Sequence, residues 1–144
     1  MTNVLTVPQL LLDANGAEKL IDQGESANVY SVLYDTTGAA FTSTAAILTL
    51  TATLSNAADK SVINSRNAQD IKGANGGSIA LDADGNVELT LKLQPADNPI
   101  VAETDPDQPE EHYLLITWTW TDGALTRTGK HEWLLKVRLK EAVS

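Results

Sequence analysis

Two stretches near the C-terminus constrain the fold of this chain more than any other feature: EHYLLITWTW and KHEWLLKVRLK. In both, apolar and polar residues alternate, and successive side chains of a β-strand point to opposite faces. The turn between them carries Asp122-Gly123, a dipeptide typical of tight hairpins. We therefore expect one long hairpin between Glu111 and Lys140, with an apolar face on each strand.

The apolar face of this hairpin is predicted to be the centre of the core. It carries all three tryptophans of the protein, Trp118, Trp120 and Trp133. The same alternation places these residues on that face: His112, Leu114, Ile116, His131, Leu135, Val137 and Leu139. Burial of the three indoles would leave sheet edges and connecting segments free to meet other molecules.

The register of the hairpin is left open by the sequence. A two-residue turn at Asp122-Gly123 would place His112 and His131 diagonally on one face, about 7–8 Å apart at the backbone. A loop from Thr121 to Thr128 would instead separate them by about 20 Å, at the rise of a strand. A metal site needs the first register and a third ligand, which the sequence does not supply nearby. The histidines are therefore predicted to cap the two ends of the core face.

Further strands are predicted where the alternation recurs between turn signals. In AILTLTATL, Leu48, Leu50, Ala52 and Leu54 should face the core and the threonines should face outward. Ser65 to Gly77 and Pro95 to Gln108 read as long polar connections, the second exposed, proline-rich and acidic. The predicted strands cover residues 17–21 (a short edge strand), 28–35, 46–54, 61–64, 78–81 and 86–93, with an extended patch at 69–72.

About seven to nine alternating strands without a helical period predict an all-β fold, an antiparallel β-sandwich. Asp97 before the crossing and Tyr113 early in a central strand resemble the pattern of immunoglobulin-like sandwiches, and this resemblance implies an immunoglobulin-like sandwich. We expect residues 28–144 to form the β-sandwich domain. Residues 1–27 are expected to be an N-terminal arm or edge strand, either folded onto its own domain or swapped to a neighbour.

Charge and composition exclude several classes of function. The chain of 144 residues has a formal net charge of −9 and would repel nucleic acid, which requires a basic surface. It contains no cysteine, so thiol catalysis and cysteine-ligated zinc are excluded. The apolar run VLTVPQLLL is too short to span a bilayer and lacks the basic flank of a secretion signal. We expect a protein that binds neither membrane nor nucleic acid and is made in the cytoplasm.

No catalytic or cofactor motif stands out, so we expect no enzyme and no cofactor. Asp82, Asp84 and Asn86 resemble a calcium loop, but Gly85 falls at the wrong position and the closing glutamate is absent. A hairpin turn at Asp84-Gly85 explains them better. The acidic crossing has the charge to attract calcium or a basic partner, but such a run is usually a solvated loop, which is the interpretation we adopt; its carboxylates are Glu103, Asp105, Asp107, Glu110 and Glu111.

Arg66 is the one polar residue that stands out as a candidate for interaction. It lies in the loop Asn64-Ser65-Arg66-Asn67, followed closely by Gln69 and Asp70. An arginine there can fix the loop by binding backbone carbonyls or Asp70, or it can anchor a neighbouring subunit. We retain both interpretations, with Asn67, Gln69 and Asp70 as further interaction candidates.

Short polar motifs recur in the turns and loops between about residues 25 and 140: Asn64-Ser65-Arg66-Asn67, Asn75-Gly76-Gly77, Gly85-Asn86-Val87, Pro95-Ala96-Asp97-Asn98, Glu111-His112 before a tryptophan-bearing strand, and His131-Glu132. Together they resemble a family of small immunoglobulin-like structural proteins of tailed bacteriophages, similar to capsid decoration and baseplate or tail adaptor modules. This resemblance implies a virion component, assembled in the host cytoplasm, whose partners are other virion proteins of the capsid, neck or tail and copies of itself. The alternative is a β-sandwich module that binds carbohydrate or a cell surface.

Overall fold

The period-two segments of the chain pair into two sheets stacked face to face, which confirms the predicted all-β sandwich. The computed structural model of the protein describes residues 9–12, 15–101 and 108–138. Pairing is antiparallel except at one edge of the larger sheet, where two short N-terminal strands run parallel to their neighbour. No helix in these ranges is long and apolar enough to cross a membrane.

The larger sheet has the strand order β1-β9-β8-β4-β5, and β2 also pairs with β9. The smaller sheet has the order β3-β7-β6. The strands are β1 (Gln9–Leu10), β2 (Leu20–Asp22), β3 (Ala27–Val32), β4 (Ile47–Asn56), β5 (Gln69–Asp70), β6 (Gly77–Leu81), β7 (Val87–Leu93), β8 (Glu110–Asp122) and β9 (Leu125–Arg138). Two short 3-10 turns cover Thr44–Ala46 and Pro95–Asp97.

The β8–β9 hairpin adopts a register between the two that the sequence left open. Asp122 pairs with Leu125, so the loop consists of Gly123 and Ala124. Gly123 has φ of 61°, the left-handed value that glycine adopts readily at the first position of a type II′ turn. His112 lies opposite Leu135, and His131 lies opposite Ile116. The histidines are thus four positions apart along the hairpin, roughly 13 Å at the rise of a strand.

The tryptophan face of the hairpin lies in the core, as its alternation predicts. Trp118, Trp120 and Trp133 are buried, and the Trp118 indole N–H donates to the Tyr34 carbonyl at 3.1 Å. Gly129 lies opposite Trp118, and a Cβ there would come within 2.5 Å of the indole ring. The glycine therefore makes room for the tryptophan. Leu139, assigned to the same face, lies outside the described residues.

Two details of the strand prediction around β4 are wrong. Leu48, expected in the core, is 47% exposed. A bulge between Ile47 and Thr49 breaks the alternation, so that Ile47 faces inward in place of Leu48, while Leu50 faces inward as expected. The strand expected at residues 61–64 is reduced to one bridge between Ser55 and Val62.

The N-terminal segment lies along the free edge of β9. The edge strand predicted at residues 17–21 appears slightly later, as β2, and β1 and β2 both pair with β9 of the same chain. Residues 1–8 and 13–14 of the predicted arm lie outside the described residues. The division of the chain into an arm of residues 1–27 and a domain of residues 28–144 stays a prediction.

Candidate interaction surface

One row of side chains crosses the outer face of the larger sheet and is mostly apolar. Paired residues of neighbouring strands point to the same face, and the pairing runs Leu10–Leu134, Leu134–Tyr113, Tyr113–Ser55 and Ser55–Val62. We call these five residues the outer row. Leu10 and Val62 at its two ends are 38% and 46% exposed, whereas the residues between them are more protected.

The outer row has apolar neighbours on both sides. Leu115 is half-buried two residues along β8 from Tyr113, and Leu20 pairs with Lys136 on the same face. The outer face of an antiparallel sheet normally carries polar residues, because it meets water. A contiguous apolar patch on such a face is characteristic of a surface that contacts another molecule.

A cavity of about 550 Å³ lies at the Val62 end of the outer row, and we call it the end cavity. Val62, Ala57 and the Tyr113 ring form its apolar walls, while Lys60 and Asn67 contribute polar groups. This volume falls in the range that accepts a small molecule or a protruding side chain. Asn67, an interaction candidate from the sequence, therefore lies where the surface is concave.

The loops around the end cavity hold non-glycine residues in the left-handed region of backbone conformation. Such residues are uncommon and persist where surrounding contacts fix them. Ala68, with φ of 48°, is held by a hydrogen bond from its N–H to Thr53 Oγ1 at 2.9 Å. Lys60, which also lines the cavity, has φ of 62°. The hydrogen bond between Ala68 and Thr53 thus ties the loop that carries Asn67 to β4.

Threonines cover the remaining part of the outer face. Thr49, Thr119 and Thr128 are aligned across β4, β8 and β9, and the hydroxyls of Thr49 and Thr119 are hydrogen-bonded at 2.5 Å. The following threonines also lie on this face: Thr51, Thr53, Thr117, Thr121 and Thr126. The face is therefore divided into an apolar half around the outer row and a hydroxyl-bearing half toward the hairpin turn.

Arg66 lies inside the protein. It is 3% exposed, and its guanidinium donates to both oxygens of the fully buried Asp97, from Nε at 2.6 Å and from Nη2 at 2.9 Å. Its Nη1 donates to Gln69 at 2.9 Å. Arg66 thus fixes the loop, one of the two roles considered from the sequence, but through Asp97 and not through Asp70, which is exposed and accepts from the backbone N–H of Lys72.

Asp97 ties the loop of Asn64 and Arg66 to its own turn after β7. Besides Arg66 it accepts hydrogen bonds from the Asn64 side chain at 2.8 Å and the Gln94 N–H at 2.7 Å. Burial raises the pKa of Asp97, but the hydrogen bonds from Arg66, Asn64 and Gln94 outweigh it and hold the pKa below its ordinary value. Because Asp97 and Asn98 are fully buried, the start of the crossing predicted to be exposed is interior; residues 102–107 lie outside the described residues.

Both histidines are engaged in internal contacts. His112 is fully buried, and its Nε2 lies 2.6 Å from a Glu110 oxygen that also accepts from the Val101 N–H. Glu110 is only 5% exposed, so its assignment to a solvated acidic loop is wrong. His131 Nδ1 lies 2.6 Å from the Ser31 hydroxyl, and burial lowers the pKa of His131. In the described ranges no three histidine, aspartate or glutamate side chains are grouped to hold a metal ion.

Charged groups of both signs surround the outer row. Lys136 forms an ion pair with Glu18 at 2.9 Å, on the Leu10 side of the face.

Burial raises the pKa of Tyr113 to about 12, and its hydrogen bond to Glu132 acts in the same direction. Tyr113 therefore remains a neutral phenol at physiological pH, with its ring at the centre of the outer row.

The outer row was missed in the sequence, although a signal for it exists. Alternation within a half-buried strand requires polar residues at the outward positions, but Leu115 and Leu134 interrupt it with apolar residues. Val62 and Leu10 have no such signal, because they lie outside the long strands. Of the predicted interaction residues, Asn67 lies at the end cavity, Asp70 lies on the exposed edge strand β5, and Arg66 and Gln69 form the interior network.

Two comparisons with known proteins gave no match, so the assignment of a function rests on the geometry described above. No model of a known protein family matches the chain. No curated protein matches its sequence either.

Proposed function

We propose that this protein is a non-enzymatic assembly component, a structural protein of a tailed-phage virion that binds capsid, neck or tail proteins through a sheet face. The observation that carries the proposal is the contrast between its interior and its surface. Two ionisable pairs, Arg66 with Asp97 and His112 with Glu110, are buried inside the sandwich, while the mostly apolar outer row crosses the outer face of the larger sheet.

The interior pairs support a role without catalysis. A catalytic acid, base or nucleophile must reach a substrate, and strongly perturbed ionisable groups in a cleft are the usual candidates. Arg66, Asp97, Glu110 and His112 are between 0% and 5% exposed. Each is occupied by a partner in its own chain, so each stabilises the fold instead of facing a ligand.

The outer face is built on three long strands, β4, β8 and β9, of 10, 13 and 14 residues. At about 4.8 Å between strands and about 3.3 Å per residue these cover on the order of 600 Å², and the short strands β1, β2 and β5 widen the face only locally. A stable interface buries about 800 Å² per partner, so a single contact through this face is smaller than a standard interface. Repetition by symmetry multiplies the effect of each such contact in a particle.

The test is to locate the protein in assembled particles. A C-terminal tag is added to the protein in the phage that encodes it, and purified particles are imaged by negative stain with a gold label against the tag. Label at a fixed position, in a constant number of copies, supports the proposal. Particles that contain no label while the tagged protein accumulates in the lysate refute it.

The end cavity favours a second function, binding of a cell-surface carbohydrate. Its volume accommodates a monosaccharide, and Tyr113 with Lys60 and Asn67 supplies a ring, a cation and an amide. A glycan array tests this: a saturable signal that is lost in Tyr113→Ala supports carbohydrate binding. A blank array excludes the glycans that the array displays.

A further inference from the structure

We propose that two copies of this chain pack with their outer faces together, so that Leu10 of each copy enters the end cavity of the other. The inference rests on the proposed function, since it names a second copy as the partner of the same face. It follows from the asymmetry of the outer row, which has a cavity at one end and an exposed leucine at the other.

The order of residues in the row makes it complementary to itself. A twofold axis parallel to the strands and passing Tyr113 reverses the row on the facing copy. Leu10 then faces Val62, and Leu134 faces Ser55, with each contact occurring twice as an isologous dimer requires. The two Tyr113 rings meet at the centre. The exposed Leu10 end of each copy thus covers the exposed Val62 end of the other copy.

The charges of the face permit a copy to approach. The face and its cavity carry four basic residues, Lys60, Lys130, Lys136 and Arg138, and five acidic ones, Glu18, Asp22, Asp70, Glu111 and Glu132, so the face is close to neutral. The chain as a whole has a net charge of −9, so most of its excess of acidic residues lies elsewhere and opposes association through other surfaces.

The rim of the interface adds one favourable pair. Lys60 lies at the cavity end of the row, and Glu18 lies at the opposite end, where it is bonded to Lys136. The same twofold axis that seats Leu10 in the cavity brings Lys60 of one copy toward Glu18 of the other. Charge pairs of this kind at a rim fix orientation and register more than they add affinity.

Cysteine cross-linking gives the sharpest test, because the natural chain contains no cysteine. Leu10 and Val62 lie four strand spacings apart in one chain, roughly 19 Å, whereas a disulfide needs Cβ atoms about 3.5–4.5 Å apart. A disulfide in the double variant Leu10→Cys/Val62→Cys must therefore join two chains. We expect mild oxidation to convert this variant to a covalent dimer with native circular dichroism. The matched control Tyr30→Cys/Val62→Cys, with Tyr30 on the smaller sheet, should remain monomeric on a non-reducing gel.

Sedimentation equilibrium provides a second measurement without cross-linking. The natural protein should dimerise with concentration, and Leu134→Lys should raise the dissociation constant about tenfold or more, as expected for a charge at the centre of an interface. Tyr30→Lys, an equally drastic change at an exposed position of the other sheet, should leave it unchanged. Both variants replace outward side chains, and urea unfolding followed by tryptophan fluorescence will verify that they fold.

The outcomes separate this inference from the proposed function. A natural protein that stays monomeric up to millimolar concentration, or a control pair that cross-links as readily as Leu10→Cys/Val62→Cys, overturns the face-to-face dimer. Label found in particles would then still support the assembly role. A dimer in solution together with unlabelled particles refutes the virion proposal and leaves the dimer standing.

Discussion

Replacement of Asp97 by Ala should cause one of the largest losses of stability outside the apolar core. The carboxylate accepts four hydrogen bonds, two from Arg66 and one each from Asn64 and the Gln94 N–H. Its removal leaves the Arg66 guanidinium buried with Gln69 as its remaining described side-chain partner. Breaking a buried ion pair from one side costs about 3–5 kcal/mol, because the remaining charge stays desolvated.

This magnitude is a large fraction of the 5–15 kcal/mol by which a typical domain is stable. For a chain of this length, about 2–4 °C is lost per kcal/mol, so the melting temperature should fall by roughly 10 °C. Urea unfolding monitored by tryptophan fluorescence measures the change directly, since all three indoles are buried. Asp70→Ala is the matched control: that aspartate is exposed, and its loss should cost no more than about 1 kcal/mol.

A double-mutant cycle tests the reasoning more strictly. Arg66→Met combined with Asp97→Leu removes both charges and refills the space with apolar atoms, which is often close to neutral for a buried pair. The double variant should therefore be clearly more stable than the sum of the two single changes predicts. A cost below about 1 kcal/mol for Asp97→Ala, or strict additivity in the cycle, would refute the interior role assigned to this pair.

The same pair predicts a component of acid unfolding. Because the folded-state pKa of Asp97 is lowered, the ionised carboxylate stabilises the fold above the ordinary pKa of an aspartate. That contribution is lost as the pH falls through the lowered pKa. Asp97→Asn should be less stable at neutral pH and should lose less additional stability on acidification than the natural protein, as measured by urea unfolding from pH 7 to pH 2.

Three further predictions follow from single contacts. Gly129→Ala places a methyl group against the Trp118 ring and should cost about 1–3 kcal/mol in urea unfolding, with a changed near-ultraviolet circular dichroism; an unchanged midpoint would contradict the close packing. Burial lowers the pKa of His131, so on acidification the unfolded state takes up a proton before the folded state, and stability should decline as the pH falls below about 6.5. His131→Gln should remove this part of the pH dependence. An NMR titration in which the folded ring titrates near the ordinary pKa of histidine would contradict the prediction. In a spectrophotometric titration one tyrosine should ionise near pH 12, and Tyr113→Phe should abolish that step while Tyr30→Phe retains it.

The sequence by itself determined the fold class and most of the strands. Period-two alternation is a local property, set by the geometry of an extended backbone, and in Glu111 to Lys140 it is long enough to be unambiguous. The turn chemistry of Gly123 and of Asp84-Gly85 added the hairpins for the same local reason. Where a strand is broken by a bulge, as at Leu48, the alternation fails because the extra residue depends on the neighbouring strand.

Only the tertiary structure decided which residues meet. Arg66 and Asp97 are separated by 31 positions, and Asp70 is the nearer carboxylate in sequence. Arg66 binds Asp97 because the fold brings the loop of Arg66 against the turn of Asp97. The hairpin register fell between two alternatives because a shift by two residues preserves which face each side chain occupies, so the hydrophobic pattern cannot distinguish them. The outer row likewise forms only when five segments that are distant in the chain pair side by side. Alternation predicts which face each residue occupies, but not which residues of other strands lie beside it.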